Sequence, residues 1–154
     1  SMNTAAANGH LFVLEWLHNS QNQSCTADAM DRAAENGHLA VLEWLHAHRN
    51  EGCTPQAMNK AAENGHFPVI EWLHMKRPET CILADAIGHA AKGGRLNIVE
   101  WIKMKYSLGS RKGKKSSKVK SMDNAASGGH IVVLKWLHAN WRRGCTAAAM
   151  GSAA

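Results

Sequence analysis

One ten-residue phrase occurs five times in this chain: GHLFVLEWLH (9–18), GHLAVLEWLH (37–46), GHFPVIEWLH (65–74), GRLNIVEWIK (94–103) and GHIVVLKWLH (129–138). Its tryptophans, Trp16, Trp44, Trp72, Trp101 and Trp136, stand 28, 28, 29 and 35 residues apart. A second phrase precedes it four times: CTADAMDRAAEN (25–36), CTPQAMNKAAEN (53–64), CILADAIGHAAKG (81–93) and SKVKSMDNAASG (117–128). Repetition at so short a period restricts the fold to stacked units, because one unit is too small to bury its own apolar face. Complete units run over Thr26–His48, Thr54–Lys76, Cys81–Lys105 and Ser117–Asn140, with partial ones at 1–18 and 145–154.

Each unit reads as two short helices. Thr26, Thr54 and Thr146 stand where a hydroxyl would cap a helix N-terminus. Pro55 follows Thr54 at the one helical position where a missing N–H costs nothing. The first helix runs through Ala-rich sequence and stops at Gly37, Gly65, Gly94 or Gly129, which suits a left-handed C-terminal residue. The second places Leu39, Val41, Leu42, Trp44 and Leu45 on one broad apolar stripe. It ends in His, Lys or Arg, favourable at the negative end of a helix dipole. The pairs Ala33-Ala34, Ala61-Ala62, Ala90-Ala91 and Ala125-Ala126 let neighbouring helices approach closely. The expected fold is an all-α solenoid, one repeat domain over 1–154 and a fragment of a longer array.

Ala33-Ala34-Glu35-Asn36-Gly37-His38-Leu39, followed by Val41-Leu42 and Leu45, resembles the ankyrin repeat, and the likeness spans the chain outside about 105–120. The family's Thr-Pro-Leu-His signature is replaced by Asp28-Ala29-Met30-Asp31, and the period is 28 rather than 33. A short, Trp-containing variant with loops in place of the projecting β-hairpins fits both departures. The resemblance implies a rigid protein-recognition scaffold with no enzymatic activity and no cofactor.

The residue patterns also weigh against chemistry at a site. Cys25, Cys53 and Cys145 hold equivalent repeat positions, with Cys81 one place off. Packed helices lie about 8–10 Å apart, farther than a disulfide spans, so free thiols in a reducing compartment are expected. His10, His38, His66 and His130 open second helices, and His18, His46, His74 and His138 close them. Eight residues separate the two, about 12 Å of helix, too far to share a metal, so loop-bridging and capping roles are expected. The Trp ladder, flanked by Leu42 and Leu45, is expected to be buried between repeats. Glu15, Glu43, Glu71 and Glu100 read as a solvated face. No nucleophile stands beside an obvious base, and no apolar run has the ~20 residues of a membrane span.

Charge is what varies. The chain carries 18 Lys and Arg against 12 Asp and Glu. Many of the cations follow second helices: Arg49, Lys76, Arg77, Lys103, Lys105, Arg111, Lys112, Lys114, Lys115, Lys118, Lys120, Arg142 and Arg143. Lined up by stacking, they would form a basic edge with a mobile, solvated bulge over 106–120. On the first helices, repeat-to-repeat variation marks Asp28, Asp31, Arg32, Glu35, Gln56, Asn59, Lys60, Glu63, His89, Lys92 and Asn124 as a concave partner-binding face. Trp141 is the expected exposed aromatic beside it. The primary expectation is a protein partner, plausibly acidic, held by this face and the basic edge. The alternative is nucleic acid or another polyanion on Lys105, Arg111, Lys112, Lys114, Lys115, Lys118, Lys120, Arg142 and Arg143. An intracellular monomer in cytoplasm or nucleus is expected, with end-to-end contacts open to its cut ends.

Overall fold

The structure is a computed structural model that describes the backbone of residues 1–21, 24–109 and 115–140, with side chains at all of these except 21, 106–109 and 115–119. The helices are α1 (Met2–Ala7), α2 (Leu11–Gln21), α3 (Ala27–Glu35), α4 (Leu39–His48), α5 (Pro55–Asn64), α6 (Phe67–Lys76), α7 (Leu83–Lys92), α8 (Leu96–Gly109), α9 (Lys115–Ser127) and α10 (Ile131–Asn140). A 3-10 turn covers Pro78–Thr80, and no strand occurs among the described residues. The fold class is the all-α repeat solenoid implied by the sequence. No described helix is long and apolar enough to cross a membrane.

Two compact units divide the chain: Ser1–Ala61 with His66–Cys81, and Ala62–Gly65 with the residues from Ile82 on. In the first, α1 packs on α3 and α2 on α4; in the second, α7 packs on α9 and α8 on α10. First helices thus stack on first helices and second on second.

The turn joining each helix pair follows from Ala-Ala-x-x-Gly-His. The His38 N–H donates to the Ala33 carbonyl (2.8 Å) and the Gly37 N–H to Ala34 (3.2 Å), satisfying two carbonyls the helix end would leave orphaned. The same bonds recur from His10 to Ala5 (2.9 Å), Arg95 to Ala90 (2.9 Å) and His130 to Ala125 (2.9 Å). They need a left-handed glycine, and Gly9, Gly37, Gly65, Gly94 and Gly129 lie at φ between 71° and 87°.

Aliphatic side chains and alanine build the seams. In the first unit Ala29, Ala33, Ala34, Leu42, Leu45 and Ile70 are fully buried; in the second, Ala90, Ala91, Ile98, Val99, Ile102 and Leu137 are. The tryptophans do not join them, which corrects the buried indole ladder. Trp44, Trp72, Trp101 and Trp136 are half-buried and Trp16 is 52% exposed. Adjacent residues on a helix differ by about 100° in direction. When Leu45 points straight into the seam, Trp44 is left at its rim.

The insertion supplies a second correction. The 106–120 stretch is not a loop throughout: α8 continues to Gly109 and α9 begins at Lys115. Lys and Leu are strong helix formers, and extending an existing helix carries no nucleation cost. Residues 110–114 lie outside the described region.

Candidate interaction surface

At the rim of the seam, Trp44, Trp72 and Trp136 each meet a basic residue of the preceding repeat. The His18 ring stands edge-on to Trp44 at 5.3 Å between centroids, and His46 stands edge-on to Trp72 at 5.3 Å. In the second unit Lys103 replaces the histidine, and its Nζ lies 5.2 Å from the Trp136 ring centre while donating to the Asn140 carbonyl (2.9 Å). An edge-to-face pair becomes a cation–π contact with the same topology. The residue four places after the tryptophan adds a second cover. His48 stacks on Trp44 at 4.6 Å, and the Lys105 Nζ lies 5.7 Å from Trp101. Reading the indoles as core hid this arrangement in the sequence, although the spacing of His and Lys around each Trp carried the signal.

Of the histidines that open second helices, His38, His66 and His130 bridge repeats. The His38 ring lies over Gly9, with its Nε2 3.1 Å from the Ala7 carbonyl oxygen. His66 covers Gly37 in the same way, and in the second unit His130 covers Gly94. Arg95 takes the histidine's place over Gly65, its Nε donating to the Glu63 carbonyl (3.3 Å).

On the first helices, several candidate residues are bound within the protein. Asp31 clamps the next repeat: its carboxylate accepts from the Thr54 N–H (2.8 Å) and hydroxyl (2.6 Å). One repeat earlier, Asn3 accepts from the Thr26 N–H (3.3 Å) and donates to its hydroxyl (2.9 Å). Thr26 therefore makes no side-chain bond to its own helix, whereas the Thr54 hydroxyl still accepts from the Gln56 N–H (3.2 Å). Asn59 holds the corresponding position, is buried, and has no hydrogen bond to its Oδ1. Asn124 donates to the Gly88 carbonyl (3.1 Å). The Glu63 carboxylate receives both His89 Nδ1 (3.0 Å) and Lys92 Nζ (3.2 Å).

Solvent exposure along the first helices differs between units. In the first, Asp28 and Arg32 form a pair at 2.9 Å with side chains 50% and 56% exposed, beside exposed Gln56 and half-buried Glu35 and Lys60. In the second, Lys92 is exposed and His89 half-buried. Of the basic-edge candidates, Lys105 is half-buried and Lys120 exposed. The side chains of Arg111, Lys112, Lys114, Lys115 and Lys118, and all of Trp141, Arg142 and Arg143, fall outside the described region.

Burial of Asp31 has a measurable consequence. Desolvation pushes its carboxyl above the ordinary value, against the opposing bonds from Thr54. A raised carboxyl favours folding below its unfolded value, and that contribution is lost as pH rises through the folded value. Asp31→Asn keeps the clamp in the form Asn3 uses and removes the ionisation. Its stability relative to the parent should therefore be higher at pH 7, with the advantage shrinking as pH falls toward 4 in urea titrations. Asp31→Ala strands the Thr54 N–H and should cost about 1–3 kcal/mol at pH 7.

The three described cysteines are free: Cys25 and Cys53 are buried and Cys81 is half-buried. Burial raises all three thiols, Cys81 to about 12 with further help from neighbouring Cys53 and Glu79, so they are protonated at neutral pH and weak nucleophiles. Among the described residues no group of three His, Cys, Asp or Glu could hold a metal ion.

A repeat of Gly-capped helix pairs joined by short turns defines an ankyrin-type protein, and comparison with known proteins agrees. The family described as "Ankyrin repeats (many copies)" matches residues 3–46 and 30–74. The crystal structure of the human ASB11 ankyrin repeat domain matches with a TM-score of 0.65 at 15% identity, over 95% of this chain and 70% of that one. No curated protein sequence matches. Residues 3–74 thus match the ankyrin repeat family, and the chain shares the fold of an ankyrin repeat domain. Such repeats serve in general as protein–protein interaction modules and not as catalysts.

Proposed function

We propose that the chain is a protein-binding scaffold that engages its partner through the open part of the first-helix face, centred in the first unit on Asp28, Arg32, Gln56 and Lys60. The observation that carries this reading is the Asp28–Arg32 pair, exposed on both members. A solvated ion pair is worth at most about 1 kcal/mol, so a partner's charges displace it at little cost. Asp31 supports the helices behind this face through its bonds to Thr54, and the Ala pairs beneath it hold its backbone rigid. With no large apolar anchor among these four residues, the contact is polar and sensitive to charge. Arg32→Glu with Lys60→Glu should abolish capture of the native partner while leaving the far-ultraviolet circular dichroism unchanged. Undiminished capture by that folded variant would reject this face.

A second reading is favoured by one observation. Lys115 opens α9 and Lys118 and Lys120 follow in its first half, at the positive end of the helix dipole. Cations at a helix start face the unfavourable end of the helix dipole. Such a segment gains from an anion, and phosphates of nucleic acid would supply one. Oligonucleotide binding that falls steeply with salt and disappears on deleting 111–120 would favour this reading over the first.

A further inference from the structure

The two histidines of one second helix lie too far apart to share an ion, but stacking brings together histidines of two helices. The position four residues after the tryptophan is His48 in α4, Lys76 in α6, Lys105 in α8 and Asn140 in α10, so only α4 carries an imidazole there. His18, which closes the α2 phrase, meets it. The two ring centres lie 6.2 Å apart with their planes at 69°. Both rings also touch Trp44, His18 edge-on at 5.3 Å and His48 stacked at 4.6 Å.

Local bonding prepares the pair as ligands. The His48 Nδ1 lies 2.9 Å from the Trp44 carbonyl oxygen, which can only accept, so Nδ1 carries the proton and Nε2 keeps its lone pair. His48 is exposed, at the lip of a depression it forms with Arg49, Asn50 and Glu51. The Arg49 charge beside it is offset by Glu51, whose carboxylate accepts from the guanidinium and from the Asn50 N–H (3.0 Å). The His18 ring is half-buried, with Nδ1 sealed from solvent and without a hydrogen bond, which leaves Nε2 as its reachable nitrogen. Distance then selects a geometry. With metal–nitrogen bonds of about 2.0–2.1 Å and each nitrogen about 1.2 Å from its ring centre, rings on opposite sides of one ion have centres about 6.4 Å apart, and rings at a tetrahedral angle about 5.2 Å apart. The 6.2 Å observed lies next to the first value.

We propose that His18 and His48 bind Cu(II) through their Nε2 atoms, on opposite sides of the ion, with water at its remaining positions. Imidazole suits copper, a tetragonal arrangement is the one Cu(II) favours, and Cu(II) heads the affinity order of divalent ions for such ligands. Zn(II) asks for the tetrahedral angle that this spacing does not offer. Two protein ligands make the ion exchangeable, unlike a closed structural site. Bound there, it ties α2 to α4 across the seam, so it favours the stacked state of the first two repeats by mass action. Trp44 touches both ligands, and its fluorescence reports the ion.

Titration of the full chain with copper(II) chloride in a non-coordinating buffer tests this. Copper should quench part of the tryptophan emission, and electron paramagnetic resonance should show a tetragonal ion with two nitrogen ligands. His18→Gln and His48→Gln should each weaken binding by about tenfold or more, with the circular dichroism of the parent. His46→Gln should bind as the parent does, because α6 presents Lys76 where α4 presents His48. Trp44→Phe should keep the affinity and lose most of the quenching. The resonance spectrum is read on the unaltered chain, so it decides even where a variant fails to fold. A parent that binds no copper, or a spectrum with fewer than two nitrogens, overturns the proposal. So does binding that survives either His18→Gln or His48→Gln, or that His46→Gln weakens equally.

Discussion

Gly93→Asn should destabilise the second unit by about 3 kcal/mol in urea titrations, although asparagine is what earlier repeats carry at this position. Asn8, Asn36 and Asn64 occupy the corresponding place, and Asn36 uses its amide to reach the Ala7 carbonyl at 2.9 Å. Gly93 has an ordinary helical conformation (φ −80°, ψ −3°), so the backbone itself would accept a side chain. Space forbids it. A Cβ on Gly93 would collide with the Glu63 carbonyl oxygen and lie 2.9 Å from the carbonyl carbon and 3.1 Å from the Glu63 Cα. These are backbone atoms at the end of α5, fixed further by Arg95 Nε on the same oxygen, and they cannot swing aside as a side chain would. Gly93→Ala should cost a similar amount. Asn36→Gly in the first unit should cost only about 1 kcal/mol, the loss of one hydrogen bond plus backbone entropy. Equal losses at the two positions would contradict this close approach.

Much of the fold is written plainly in the chain. Pro55, the Ala-Ala pairs and the turn glycines each specify a local backbone choice, and all of them point to the same helix hairpins. The site is less legible, for reasons that particular residues explain. Asp31 and Asn59 vary between repeats, and variation suggested freedom from packing. Through α1, α3 and α5, however, the column holds only Asn3, Asp31 and Asn59, side chains of nearly equal shape, and it is broken only by Gly88 in α7. Asp31 takes two bonds from Thr54 and Asn3 exchanges two with Thr26, so the column marks a clamp. Asn59 has no such partner, because the next copy reads Cys81-Ile82 in place of Cys-Thr. The openness of Val13 and Trp16 is not legible at all, since their sequence context matches that of Val41 and Trp44. Exposure there depends on what packs behind the helix, which local sequence does not encode.

The larger loss in the first unit should come from Leu45→Ala, about 2–5 kcal/mol, and not from the tryptophan beside it. Leu45 is fully buried in the aliphatic seam with Val41 and Leu42, so its truncation leaves a cavity that helices packed on both sides cannot close. Trp44 lies at the rim, where its ring contacts are His18 edge-on and His48 stacked. Trp44→Phe keeps an aromatic face for both and gives up surface that water already reaches in part. Its cost should stay below about 1.5 kcal/mol, the size of an aromatic pair interaction. The two variants differ at neighbouring positions of one helix and share every other contact of the fold, so their comparison separates seam from rim. Equilibrium unfolding in urea of Leu45→Ala and Trp44→Phe against the parent is the direct measurement. The aliphatic seam requires the leucine variant to lose clearly more than the tryptophan variant; equal losses, or a greater loss at Trp44, would place the indoles in the core and contradict it.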